Sequence, residues 1–140
     1  MKTINIGSGQ YEITLLTAEE YKRYEDRIPL VNYWWWLRSP GDFSSSAAII
    51  LIGGAVDFDG NSVTYVSNAV RPALKSVILN LPIGASFIAL GNRWVMIDEG
   101  MAISQNVITH RRYDAKSNDW ETSELKQWLE RWAKEGEDKD

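Results

Sequence analysis

Ser86-Phe87-Ile88-Ala89-Leu90, Arg93-Trp94-Val95-Met96-Ile97-Asp98 and Met101-Ala102-Ile103-Ser104 are three short apolar runs separated only by Gly91-Asn92 and Glu99-Gly100. Parallel strands need a crossover of a dozen residues or more, and none fits in these gaps. The stretch therefore predicts an antiparallel meander with tight turns. Upstream, residues 47–52, 55–59 and 62–66 repeat the arrangement, with Gly53-Gly54 and Asp59-Gly60-Asn61 as the hairpin turns. Residues 70–79 read as extended apart from Pro72, which belongs at an edge or a strand start. At the beginning of the chain, residues 3–6 and 11–16 flank Gly7-Ser8-Gly9-Gln10 and predict a β-hairpin.

Two helices complete the reading. Thr17-Ala18-Glu19-Glu20 is a capping box, so a short helix is expected over residues 18–26, with Pro29 just past its end. Leu125, Trp128, Leu129 and Trp132 recur at i, i+3, i+4 and i+7, the apolar stripe of an amphipathic helix over about residues 120–134. Trp128 and Trp132 are expected in the core. The fold class is α+β: a small twisted antiparallel sheet with about two flanking helices. Residues 1–135 are expected to form one domain, and residues 136–140 a flexible acidic tail.

Composition narrows the chemistry. The 140 residues include no cysteine, which excludes disulfides, thiol nucleophiles and zinc–thiolate sites. The longest uncharged apolar stretch, residues 47–56, is half the length that a bilayer requires. With no apolar leader at the start, a cytoplasmic location is expected. Basic and acidic residues cancel over residues 1–113, and the net charge of −4 lies in the last 27 residues. No surplus of Lys or Arg is present to displace counterions from phosphates, so neither nucleic acid nor membrane is an expected partner.

Motifs for catalysis are sparse. His110 is the only histidine, and Arg111 and Arg112 stand beside it. Asp57-Phe58-Asp59-Gly60-Asn61 begins like a calcium loop, but Ser62 and Asn68 stand where glycine and glutamate are needed. No phosphate loop or nucleophile elbow occurs. No metal or cofactor is implied. Arg38 and Arg71 sit in apolar settings, where an arginine requires carboxylate or carbonyl partners, and both are expected to be buried and to tie loops together.

The same residues carry a resemblance. Trp35-Trp36-Leu37-Arg38-Ser39-Pro40-Gly41, followed by Val70-Arg71-Pro72-Ala73-Leu74, resembles a domain-of-unknown-function family common in gut Firmicutes and their phages. Residues 120–129 are similar to that family's W-x-x-S-x-L-R-x-W-L helix, which usually precedes W-L-R-S-P-G rather than following it. The order here looks like a circular permutation joined at residues 81–84, or a helix swapped between two chains of a homodimer. The signatures also resemble those of the C-type-lectin-like and formylglycine-generating-enzyme-like fold. The resemblance implies a binding scaffold and a phage or prophage accessory role, with inhibition of a host defence system as one form of it.

Two functional classes follow. One is a non-catalytic binding module for a protein or a small ligand, acting as a monomer or a swapped homodimer. Its expected contacts lie on the loop tips at residues 42–46, 57–61 and 65–68, chiefly Asp42, Phe43, Asp57, Asp59, Asn61 and Tyr65, with Trp36, Arg38, Arg71, Trp120, Trp128 and Trp132 as the supporting structure. The other is an enzyme with an unmarked site built on Arg38, Arg71 or His110. The loops supply what the first class needs, and the sequence places no convergent titratable groups for the second.

Overall fold

The computed structural model describes residues 1–139. The strands are β1 (Lys2–Thr3), β2 (Glu12–Thr14), β3 (Trp35–Pro40), β4 (Ser46–Ile50), β5 (Val56–Ser62) and β6 (Ala69–Val70). They continue as β7 (Ala73–Lys75), β8 (Ser86–Ala89), β9 (Asn92–Asp98), β10 (Met101–Ser104) and β11 (Thr109–His110). Helix α1 (Ala18–Tyr24) follows β2, and α2 (Glu124–Gly136) follows β11. The strands form two sheets, ordered β1-β8-β9-β10-β7-β2 and β11-β6-β3-β4-β5. The molecule is thus α+β, with two mostly antiparallel sheets in place of the single small one expected. Two pairings are parallel, β1 with β8 and β3 with β6.

The β8–β9–β10 meander forms as predicted, with Phe87 opposite Trp94 and Ile103 opposite Val95. The capping box also forms: Thr17 Oγ1 accepts from Glu20 N, and Glu20 Oε1 accepts from Thr17 N. The opening hairpin does not. The turn is present, with Gln10 N donating to Gly7 O at 3.1 Å, but its two arms separate. β1 goes to one edge of the six-stranded sheet and β2 to the other, which places Ile6 and Ile13 in the same core.

Two other expectations are corrected. Asp59-Gly60-Asn61 is a bulge inside β5 rather than a turn. Ala47 faces Asn61 and Ile49 faces Asp57, so β5 carries extra residues there, and Gly60 takes φ 76°. A Cβ on Gly60 would lie 2.0 Å from Ala47 O, which is why glycine stands at this point. The expected strand over residues 62–66 is consequently absent. The extended stretch at 70–79 breaks at Arg71-Pro72, where the chain leaves the five-stranded sheet as β6 and enters the other as β7.

Strand β3 is buried on both faces. Trp36 points to the core shared with Tyr113, Leu125 and Leu129, while Trp35 and Leu37 pack with Tyr21, Tyr24 and Ile103 near α1. That double burial explains its continuous apolar run. Ser123 caps α2 by accepting from Lys126 N. The deepest positions of α2 are Leu125, Leu129 and Ala133, not the two tryptophans. Trp132 lies edge-on to Trp94, and Trp128 carries the Arg111 guanidinium over its ring at 5.0 Å, both only partly buried. The helix packs on its own chain. Gly136, read from sequence as the start of the tail, is buried at the end of α2, and Glu137 accepts from Tyr11 Oη. Asp140 lies outside the described residues. No helix among the described residues is long and apolar enough to cross a membrane.

Candidate functional site

Strands β3 and β6 run parallel, so the segments that lead into them meet at one end of the five-stranded sheet. Ala69 N donates to Trp34 O at 2.8 Å and fixes the two incoming segments side by side. The β4–β5 turn reaches the same end, held by Gly54 N on Leu51 O and anchored to α1 by Tyr21 Oη on Gly54 O. Tyr33, Trp34, Ile52 and Tyr65, with Asn32, Ser67 and Asn68, line a cleft of about 260 Å³ at this junction. Tyr33 is 48% exposed, Trp34 43% and Tyr65 44%, so large aromatic surfaces face outward around a polar floor.

Asn68 makes that floor unusual. It is 1% exposed, and its Oδ1 accepts from Asn61 Nδ2 at 3.2 Å. Because Asn61 donates, Asn68 must present its amide nitrogen on the other side, and Nδ2 has no partner. A buried N–H left unmade costs about 1–3 kcal/mol. His110 supports the rim: its Nδ1 lies 2.9 Å from Ser67 O, and its ring meets Tyr33 edge-on at 4.8 Å.

The residues expected on the binding surface divide between places. Tyr65 lines the cleft and Asn61 positions its floor. Asp42 and Phe43 lie in the β3–β4 loop, at the opposite end of β3. Phe43 is strongly exposed, and its carbonyl accepts from Asn118 Nδ2. Asp57 and Asp59 lie along the edge strand β5. Asp57 is spent locally, its Oδ1 accepting from Asp59 N and Gly60 N within the bulge. A hydrogen bond and the charge of Asp42 hold the Asp59 carboxyl above its ordinary range. Among the described residues no three His, Asp or Glu side chains gather as a metal-holding group.

Of the two arginines expected to be buried on carboxylate or carbonyl partners, Arg71 has carbonyl partners and Arg38 is the departure. Arg71 is fully buried but has no carboxylate partner. Its Nε donates to Ser104 O at 2.8 Å, Nη2 reaches Gln105 O at 3.4 Å, and Nη1 has no partner. The guanidinium sits 5.3 Å from the Trp35 ring centre, and burial pulls its pKa down to about 10. Arg38 is only half-buried, with its Nη2 3.8 Å from Glu20 Oε1. Arg38, Arg71 and His110 do not converge, each lying among different neighbours. Trp36 donates to Arg111 O, and Trp120 packs against Tyr113.

Sequence reasoning missed Asn32, Tyr33, Trp34 and Ile52 as lining residues, whereas Ser67 and Asn68 fell within the expected loop tip at residues 65–68. The available signal was the length of the aromatic run, which begins before β3 can bury it. No curated protein and no solved structure matches the chain. Residues 8–76, which carry every lining residue of this cleft, match a family model described as a domain of unknown function, DUF6273.

Proposed function

We propose that this chain is a non-catalytic binding module whose aromatic cleft docks a partner protein. The observation that carries the reading is three half-exposed aromatic side chains gathered around one cleft. Tyr and Trp offer large contact area at small entropic cost, and contiguous exposed apolar surface on a small domain marks interaction sites. Leu30 and Val66 extend the same apolar rim. In the phage or prophage setting that the motif resemblance implies, the partner is a host protein, and blocking a host defence system is a role this surface would serve.

The test is site-specific photocrosslinking in cells, with a benzophenone amino acid at Tyr65 and a control at Glu99, which is exposed on the other sheet. The reading expects a discrete adduct from position 65, absent at 99 and lost when Trp34→Ala is added. Equal adducts at both positions would remove the cleft as the docking surface. Recovery of a bound small molecule in native mass spectrometry, displaced by Trp34→Ala, would replace the protein partner with a small ligand.

A further inference from the structure

A second cleft, of about 380 Å³, runs between β2 and α2, with Arg38 and Trp120 in its wall. Its chemistry differs from that of the aromatic cleft. Arg38, Lys126 and Lys134 supply positive charge, and Glu12, Glu121, Glu130 and Glu137 supply negative charge. Most of these groups are already engaged. Lys126 lies 3.8 Å from Glu121 and 3.3 Å from Glu130, and Glu137 accepts from Tyr11 Oη.

Among the described residues, Glu12 and Lys134 have no such partner, and Arg38 has only a distant one. Its nearest carboxylate, Glu20, is taken by Lys75 at 2.8 Å and by Thr17 N at 2.9 Å. The approach of Arg38 Nη2 to Glu20 at 3.8 Å is too long for a hydrogen bond. Arg38 Nε is buried with no partner. With 31% of its side chain exposed, the guanidinium keeps its terminal nitrogens, Nη1 and Nη2, accessible at the cleft. That fork matches a carboxylate in two parallel bonds. The four glutamates of the lining oppose a dianion such as phosphate and favour a ligand that also brings positive charge.

We infer that this cleft binds a small zwitterion carrying a carboxylate and an ammonium group, an amino acid or a short peptide end, with Arg38 as the carboxylate fork. Trp120 supplies an apolar wall, and Glu12, which has no ion pair or side-chain hydrogen bond among the described residues, is the carboxylate for the ammonium. The inference stands on residues of β2, β3 and α2 and is independent of the aromatic cleft.

The experiment is a titration of the full chain followed by two-dimensional NMR, with glycine, glycylglycine, N-acetylglycylglycine, glycylglycine amide and inorganic phosphate as probes. Saturable shifts of the Arg38 Nε–H and the Trp120 indole are expected with glycine or glycylglycine. Tighter glycine identifies an amino-acid site and tighter glycylglycine a peptide-end site. Either capped form should bind about tenfold more weakly, which corresponds to ~1.4 kcal/mol. Arg38→Lys keeps the charge but loses the fork, and should weaken binding by at least a similar factor with an unchanged melting curve. The inference is overturned if no zwitterion saturates these signals, if the capped forms or phosphate bind as well, or if Arg38→Lys binds like the wild type.

Discussion

Replacing Gly136 with alanine gives a sharp test of how the chain ends. On helix propensity alone the change stabilises, by up to about 1 kcal/mol in a helix interior and less in a last turn. The structure reverses that sign. A Cβ at Gly136 would lie 2.3 Å from Leu90 O, 2.8 Å from Leu90 C and 3.1 Å from Leu90 Cα, all backbone atoms that cannot rotate aside. Leu90 is itself held in the β8–β9 turn, with φ 55° beside Gly91 at φ 66°, the paired positive values of a two-residue hairpin turn. Trp94 Nε1 donates to Ala89 O at 2.8 Å and braces that turn. Overpacking against a fixed neighbour costs about 1–3 kcal/mol. With an unfolding entropy of about 0.3 kcal/mol/K for a chain of this length, a net loss of ~1–2 kcal/mol lowers Tm by roughly 3–7 °C. Gly53→Ala is the control, because its Cβ meets nothing within 4 Å and its φ is not positive. Calorimetric melts of both variants decide the matter. If Gly136→Ala melts at or above the wild type, the end of α2 does not dock on the turn, and residue 136 belongs to a solvated tail.

Other perturbations probe separate links. Arg71→Ala removes the bonds to Ser104 O and Gln105 O and empties the space beside Trp35, so urea unfolding should show a loss of about 2–5 kcal/mol. Thr17→Ala deletes one half of the capping box and should cost about 1 kcal/mol by the same measurement. Burial of Glu20 opposes its charge, but the Lys75 hydrogen bond, the Thr17 N–H and the nearby Arg38 outweigh it and hold Glu20 below its ordinary 4.5. The unfolded chain then binds more protons as pH falls through that value, so this part of the stability is present above it and lost below. Melts between about pH 5 and pH 3 should show the fall, and Lys75→Met should flatten it.

What was legible in the sequence was chemistry confined to a few neighbouring residues. The capping box at Thr17, the turns of the β8–β10 meander and the apolar stripe of α2 each depend on side chains within one or two turns of chain. What was illegible depends on distant partners. The Gly7–Gln10 turn is plain from its residues, yet it does not decide that β1 pairs with β8. The Asp59-Gly60 pair has the composition of a hairpin turn, and only the close approach of Ala47 O makes it a bulge. For the cleft, Tyr65 was visible as an aromatic on a loop. Asn68 fell within the same loop tip, but its burial and the bond it accepts from Asn61 depend on how the loop folds back on β5.

The aromatic run at residues 33–36 resolves into two kinds of residue by where the sheet begins. Trp35 and Trp36 fall within β3, which is covered on both faces, and neither can touch a partner without unfolding the core. Tyr33 and Trp34 come before the strand, where no second layer covers them. The cleft is therefore a consequence of a strand shorter than the aromatic run that feeds it. The segment 8–76 holds the whole cleft but does not hold its foundation. Trp36 is packed by Tyr113 and donates to Arg111 O, and β7 needs β10 on its free side. The later half of the chain thus supplies the packing that keeps Tyr33, Trp34 and Tyr65 at one end of a rigid sheet, so losses of binding from substitutions there should track losses of stability, whereas Trp34→Ala should separate the two.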